Sequence, residues 1–192
     1  MMNKKIIVIA GYLASGKSTF ALRLSEELNI PYLIKDTFKS AICTNIPIMD
    51  REESKRFSVA TFDAIVYVTE RFMETGYPLI IEGNFEMDCD FKANEGDVLK
   101  ALIEKYDYKS LTYIFCGDTR TLYERFNQRE NLPERGQANQ LHSEITYEDF
   151  DKWIKPLADF TVDGRTVKID TTNFDDVDFK RYIEIAHNFI LS

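Results

Sequence analysis

Residues 11 to 19 read Gly-Tyr-Leu-Ala-Ser-Gly-Lys-Ser-Thr, a full match to the pattern G-x-x-x-x-G-K-[ST]. The pattern has a mechanical meaning. Backbone N–H groups of such a loop point inward at phosphate oxygens, and glycines permit the curvature and the close approach. A helix that starts at the lysine adds unpaired amides and the positive end of its dipole. Gly11, Ala14, Ser15, Gly16, Lys17, Ser18 and Thr19 are therefore expected to cradle a nucleoside triphosphate, ATP with Mg²⁺. Lys17 reaches the β- and γ-phosphates, and the Ser18 hydroxyl turns to the metal. The bland alternative is a glycine turn with an incidental lysine. The flanking sequence argues against it, because the β-branched run Ile6-Ile7-Val8-Ile9 precedes the loop and an amphipathic pattern follows it.

Two further features stand where ligands of open parallel sheets bind, at the ends of apolar runs. Asp36 follows Tyr32-Leu33-Ile34, with Lys39 about one helical turn later. Glu82 ends Leu79-Ile80-Ile81 and is followed by Gly83-Asn84. Asp36 also suits a helix N-cap. Glu82 also reads as a strand-end carboxylate with local hydrogen bonds. Arg125 and Arg129 are four apart and share a helix face, with Arg120 near the start of the same helix. Two guanidiniums on one face can clamp a transferring phosphoryl group if a lid carries them in. Surface pairing with Glu124 or Glu130 is the alternative, and it is worth little.

The elements that position these residues alternate along the chain. Strands are expected at 4–10, 32–34, 78–81, 111–116 and 166–170. A helix runs from Lys17 with Ala21, Leu24 and Leu28 inward, and another from Asp36 through Ile42. A long one, capped by Asp50 with Glu53, carries Phe57, Ala60, Ala64, Val68 and Phe72 at helical spacing and stops at Gly76. Helices over 90–106 and 119–129, one capped by Thr146 with Asp149, and a last one bearing Phe179, Ile183, Ala186 and Ile190 complete the set. The polar stretch 131–143, with Pro133 and Gly136, reads as a mobile loop, so 119–143 is the expected lid region. This alternation specifies right-handed crossovers and a three-layer α/β/α arrangement on a five-stranded parallel sheet, a P-loop NTPase fold in a single domain over 1–192.

Composition narrows the classes. The 192 residues are 44% hydrophobic and 29% charged, with a net charge of −8. That balance is globular, and an acidic surface opposes a large nucleic-acid footprint. No stretch approaches a membrane span in length. Cys43, Cys89 and Cys116 are dispersed and odd in number, which suits a cytoplasmic protein and suggests no metal site. His142 and His187 lack partners at metal or triad spacing.

With these residues in view, the chain resembles the P-loop small-molecule kinases and kinase-like ATPases related to chloramphenicol phosphotransferase, the 5′-kinase domain of polynucleotide kinase and zeta toxins. The likeness rests on Gly11 to Thr19, Asp36-Thr37-Phe38-Lys39, Ile81-Glu82-Gly83-Asn84-Phe85, the Arg120 to Arg129 helix and Ile169-Asp170-Thr171-Thr172. It implies that Asp36 is the general base for a substrate hydroxyl. It also implies that Lys39, Glu82 and Asn84 face the substrate, and that Glu82 with Ser18 serves the metal. Thr172 would border the adenine, with Arg120 on the nucleotide side. For Lys39 the alternative is a solvated surface lysine. No apolar strand ends in aspartate, so Glu82 takes the usual metal-side carboxylate role or Asp36 assists it. The implied activity is transfer of the γ-phosphoryl group of ATP to a hydroxyl of a small molecule. Two other readings stay open: a nucleotide-binding regulator or ATPase with water as its only acceptor, and a nucleic-acid 5′-hydroxyl kinase, which the acidic charge opposes.

Overall fold

A computed structural model of the chain describes residues 3–46, 48–85, 94–130 and 145–192. Five parallel strands form one sheet: β1 (Lys5–Gly11), β2 (Tyr32–Ile34), β3 (Leu79–Glu82), β4 (Lys109–Cys116) and β5 (Arg165–Asp170). Their order across the sheet is β2-β3-β1-β4-β5. The helices are α1 (Lys17–Leu28), α2 (Lys35–Ile42), α3 (Arg51–Thr75), α4 (Glu95–Lys105), α5 (Thr119–Glu130), α6 (Tyr147–Ile154) and α7 (Phe179–Leu191). The result is the expected three-layer α/β/α P-loop NTPase fold. The residues expected to form a loop at 131–143, and those expected to open α4 at 90–93, lie outside the described residues.

Strand β1 is the axis of the molecule. All seven of its residues are buried, because helices cover both faces and neighbours flank both edges. Its side chains alternate between two cores. Ile6, Val8 and Ala10 join Phe62 and Met73 of α3 and Leu99, Leu102 and Ile103 of α4. Ile7 and Ile9 join Phe20, Ala21 and Leu24 of α1 and Ala186 of α7. A third cluster packs Leu13 and Ala14 of the loop against Leu122 and Phe126 of α5 and Phe150 and Ile154 of α6.

The caps follow their expected chemistry. The Asp50 side chain accepts from the Glu53 amide, Gly76 closes α3 in the left-handed region, and Thr146 accepts from Asp149. One expectation fails in phase. The buried stripe of α3 is Thr61, Phe62, Ile65, Thr69 and Met73, whereas Ala60 is exposed and Phe57, Ala64, Val68 and Phe72 are half-buried. Two threonines on the inward face hide the stripe from a search for apolar periodicity. Cys43 and Cys116 are half-buried free thiols. No helix among the described residues is long and apolar enough to cross a membrane.

Strand register brings the chemistry together. Glu82 lies opposite both Ile9 and Ile34. The loop that leaves β1, the start of α2 after β2, and the acid ending β3 therefore meet at one edge. The crossing is tight at Gly11, which pairs with Phe115 at φ 112°. A Cβ there would sit 2.1 Å from the Phe115 carbonyl oxygen, whereas at Gly16 (φ 87°) it would meet only the Phe174 ring, at 3.0 Å. Backbone cannot yield as a ring can. Gly11→Ala should therefore destabilise the protein by about 3 kcal/mol or more, and Gly16→Ala by only about 1–2 kcal/mol. Equal midpoints in chemical denaturation of the two variants would refute that ranking.

Candidate active site

The loop between β1 and α1 is built from its own backbone. Tyr12 N–H donates to the Phe115 carbonyl at 2.8 Å, which anchors the loop to β4. The Tyr12 carbonyl accepts from Ser15 Oγ at 2.6 Å and from Lys17 Nζ at 2.5 Å. Ala14 and Gly16 both adopt positive φ, which bends the chain around a hollow. Helix α1 begins with Gly16 as its N-cap, with no capping side chain and no acid in its first turn. Its leading amides keep the positive character that favours an anion.

Lys17 and Glu82 are both buried, and Ser18 Oγ donates to Glu82 Oε2 at 2.9 Å. Burial pushes the Lys17 amine down, while the charges of Glu82 and Asp36 push it up. Burial pushes the Glu82 carboxyl up to about 7, against the lowering effect of Lys17 and the Ser18 hydrogen bond. Arg129 acts on the charges of both Lys17 and Glu82. A hydroxyl and a carboxylate oxygen side by side are the donor set of a hard cation such as Mg²⁺.

Asp36 is exposed in the first turn of α2, within range of Lys17, Glu82 and Lys39 electrostatically. It is not the cap of α2. Ile34 holds that position, with no side-chain cap. Lys39 is not the solvated surface lysine of the alternative reading. It is buried, and its Nζ donates to Ser54 Oγ at 2.8 Å and Ser58 Oγ at 2.9 Å on α3. Burial lowers its pKa, with Asp36 acting in the opposite direction.

The two arginines on one face of α5 are used differently. Arg125 donates to the carbonyls of Thr171 (2.6 Å) and Thr172 (2.8 Å) and stacks on Phe174, 4.2 Å from the ring centroid. Phe174 in turn faces Gly16. Thr172 Oγ1 accepts from the Asp118 amide and donates to Asp170. Arg120 is exposed and stacks on Tyr147 at 4.7 Å. Thr19 is exposed on α1. Asn84 is half-buried, and its Oδ1 has no hydrogen-bond partner among the described residues.

Lys35 escapes notice in the sequence although it precedes Asp36. It is buried in an ion pair with Glu95 at 2.7 Å, and its Nζ also lies 3.4 Å from the Asn84 carbonyl. Ser54, Ser58 and Phe174 likewise do not stand out in the sequence. For the serines, the i,i+4 spacing on α3 is the one available signal. For Phe174, it is a bulky aromatic in an otherwise polar turn.

No family model matches the chain, and no curated protein does. Solved structures do. A putative kinase from Chloroflexus aurantiacus J-10-fl superposes with a TM-score of 0.81 at 23% identity, over 100% of this chain and 98% of that one. A gluconokinase from Sinorhizobium meliloti 1021 gives 0.58 at 16% identity, over 100% and 94%. Shikimate kinase from Acinetobacter baumannii in complex with shikimate gives 0.57 at 15%, over 99% and 94%. The chain thus has the fold of P-loop small-molecule kinases.

Glu82 yields a prediction about stability. Between the ordinary carboxyl value of 4.5 and about 7, the folded protein holds a proton that the unfolded chain has released. Stability falls as pH rises through that window and levels off above it. Glu82→Gln cannot titrate, so without nucleotide and with metal chelated its stability advantage should grow across the window. The gain should reach up to about 3 kcal/mol above pH 7. Parallel stability profiles of the two proteins from pH 5 to 8 would refute it.

Proposed function

We propose that the protein is an ATP-dependent phosphotransferase that moves the γ-phosphoryl group to a hydroxyl of a small molecule. One observation carries the reading. Asp36 lies in the first turn of α2 directly after β2, whose last residue pairs with Glu82, and Glu82 is hydrogen-bonded to Ser18 of the phosphate loop, so an acidic group stands beside that loop. The shared fold with small-molecule kinases supports it, as does the resemblance to chloramphenicol phosphotransferase and its relatives.

The α1 amides and Lys17 hold the β- and γ-phosphates, where the uncapped helix start favours negative charge. Ser18 and Glu82 would hold Mg²⁺, which neutralises phosphate charge when bound. Asp36 accepts the proton of the acceptor hydroxyl as that oxygen bonds to the γ-phosphorus. The bond from phosphorus to the β–γ bridging oxygen breaks, and ADP leaves with its electrons. Arg129, whose charge reaches Lys17 and Glu82, offsets negative charge on the transferring group. Arg125 shapes the nucleotide side by fixing the Thr171–Thr172 turn and backing Phe174.

Lys17→Ala should weaken nucleotide binding by at least about 100-fold, because the phosphates forfeit a charge-assisted hydrogen bond in a site that excludes water. Asp36→Asn should keep nucleotide affinity within about threefold while transfer falls by about 10²–10⁴-fold, the usual contribution of one base. Calorimetric titration with a non-hydrolysable ATP analogue measures the first quantity, and coupled ADP release with an acceptor panel measures the second. Unchanged affinity in Lys17→Ala would remove the basis of the reading. An Asp36→Asn variant with full transfer would remove Asp36 from it.

A further inference from the structure

Lys35 and Lys39 lie one turn apart on α2, and both are buried. Their surroundings differ in kind. Lys35 has a carboxylate of its own, Glu95, with both oxygens at 2.7 and 2.8 Å. Lys39 has no carboxylate within ion-pair distance among the described residues. Its Nζ has instead two hydroxyls, Ser54 and Ser58, supplied from one face of α3. A buried ammonium is expensive to hold unless it is paired, and hydroxyls supply hydrogen bonds without a countercharge. Lys35 shows that this fold can place an acid against a lysine of the same helix. At Lys39 no such countercharge is present among the described residues. The Ser54 hydroxyl can turn its proton toward an oxyanion, and Ser58 Oγ, which donates to the Ser54 carbonyl at 3.1 Å, can exchange that bond for one.

The place of this group gives it a meaning. Asp36, the proposed base, is three residues from Lys39 on the same helix, close enough for its charge to bear on both Lys39 and Lys17. The charged groups that act on Lys39 are Asp36, Cys43 and Lys35. Asp36 makes no ion pair with Lys39, whose Nζ bonds to the two serine hydroxyls instead. An acceptor whose hydroxyl meets Asp36 has Lys39 about one helical turn away along α2.

We infer that the acceptor is an anion, a hydroxy compound bearing a carboxylate or phosphate group that is bound by Lys39 with Ser54 and Ser58. The inference rests on the phosphotransferase reading and deepens it by naming the acceptor class. Neutral sugars and alcohols would leave the Lys39 charge buried and uncompensated. Such a difference is a strong basis for discrimination, because a site built around a charged or polar partner rejects analogues that lack it.

The test uses the whole chain, saturated with Mg²⁺ and a non-hydrolysable ATP analogue. Calorimetry and thermal shift then compare paired probes: D-gluconate and D-glycerate as hydroxy acids, glycerol 3-phosphate as a phosphorylated alcohol, and D-glucose and glycerol as their uncharged counterparts. At least one anion should bind tenfold or more tightly than its neutral counterpart. The carboxylate and phosphate arms tell which group the pocket takes. In Lys39→Met that preference should disappear, and in Lys39→Arg it should be partly retained. Ser58→Ala, which leaves the charge in place, should weaken the preferred anion three- to tenfold, and it serves if Lys39→Met does not fold. The inference is overturned if no anion outcompetes its neutral counterpart, or if the preference survives in Lys39→Met. Failure of the wild-type protein to bind the ATP analogue would instead strike the phosphotransferase reading. Intact analogue binding with a preference for neutral acceptors would strike only the acceptor class.

Discussion

Lys17 and Glu82, an amine and a carboxyl at the carboxyl edge of the sheet, are held away from water, and the rest of the site is arranged around them. For each, desolvation outweighs attraction to the other. A buried pair of this kind is weak evidence of stability and persists because the surrounding packing fixes it. The packing here is the fully buried β1, flanked by β3 and β4 and covered by a core on each face. Gly11 lets the chain leave β1 flush against the Phe115 carbonyl, and the Tyr12 amide ties it there. The stable layers carry a locally unfavourable arrangement that an incoming phosphate and cation would relieve. Such local conflict between stability and chemistry is what functional sites are expected to show.

How much was legible in the sequence depended on where each determinant lies. Buried parallel strands are continuous apolar runs, so β2 is found at its full extent, Tyr32–Ile34, and the other four within a residue or two. The phosphate loop is legible because its chemistry is contiguous from Gly11 to Thr19. The α3 stripe is misphased because Thr61 and Thr69 occupy buried positions that an apolar pattern assigns to solvent. The burial of Lys39 is illegible because its partners arrive from a different helix, 15 and 19 residues on. The Lys35–Glu95 pair spans 60 residues and has no local signature.

Arg125 and Arg129 show what helical periodicity can and cannot say. A spacing of four puts both on one face of α5, but it also displaces them by a full turn along the axis. That displacement separates their surroundings. Arg125 meets the turn after β5 and is fixed by two carbonyls and the Phe174 ring. The influence of Arg129 falls on Lys17 and Glu82. A guanidinium bound to two carbonyls retains its charge while its geometry is set, so Arg125 can hold Phe174 beside Gly16 of the loop.

The chain carries a net charge of −8, yet its buried lysines concentrate at one place. Among the described residues, Lys5, Lys17, Lys35 and Lys39 are buried, and all but Lys5 lie at the carboxyl edge around the phosphate loop. Buried cations of an acidic protein concentrate positive field where they lie, because nearby solvent is excluded and the outer surface repels anions elsewhere. Lys35 is neutralised internally by Glu95 and contributes structure. Lys17 and Lys39 are not neutralised to the same degree, and Asp36 stands near both. On the proposed reading, anionic ligands would be drawn to either side of a single carboxylate. That is the arrangement a transfer between two bound anions requires, since their mutual repulsion must be offset before the reacting oxygens can approach.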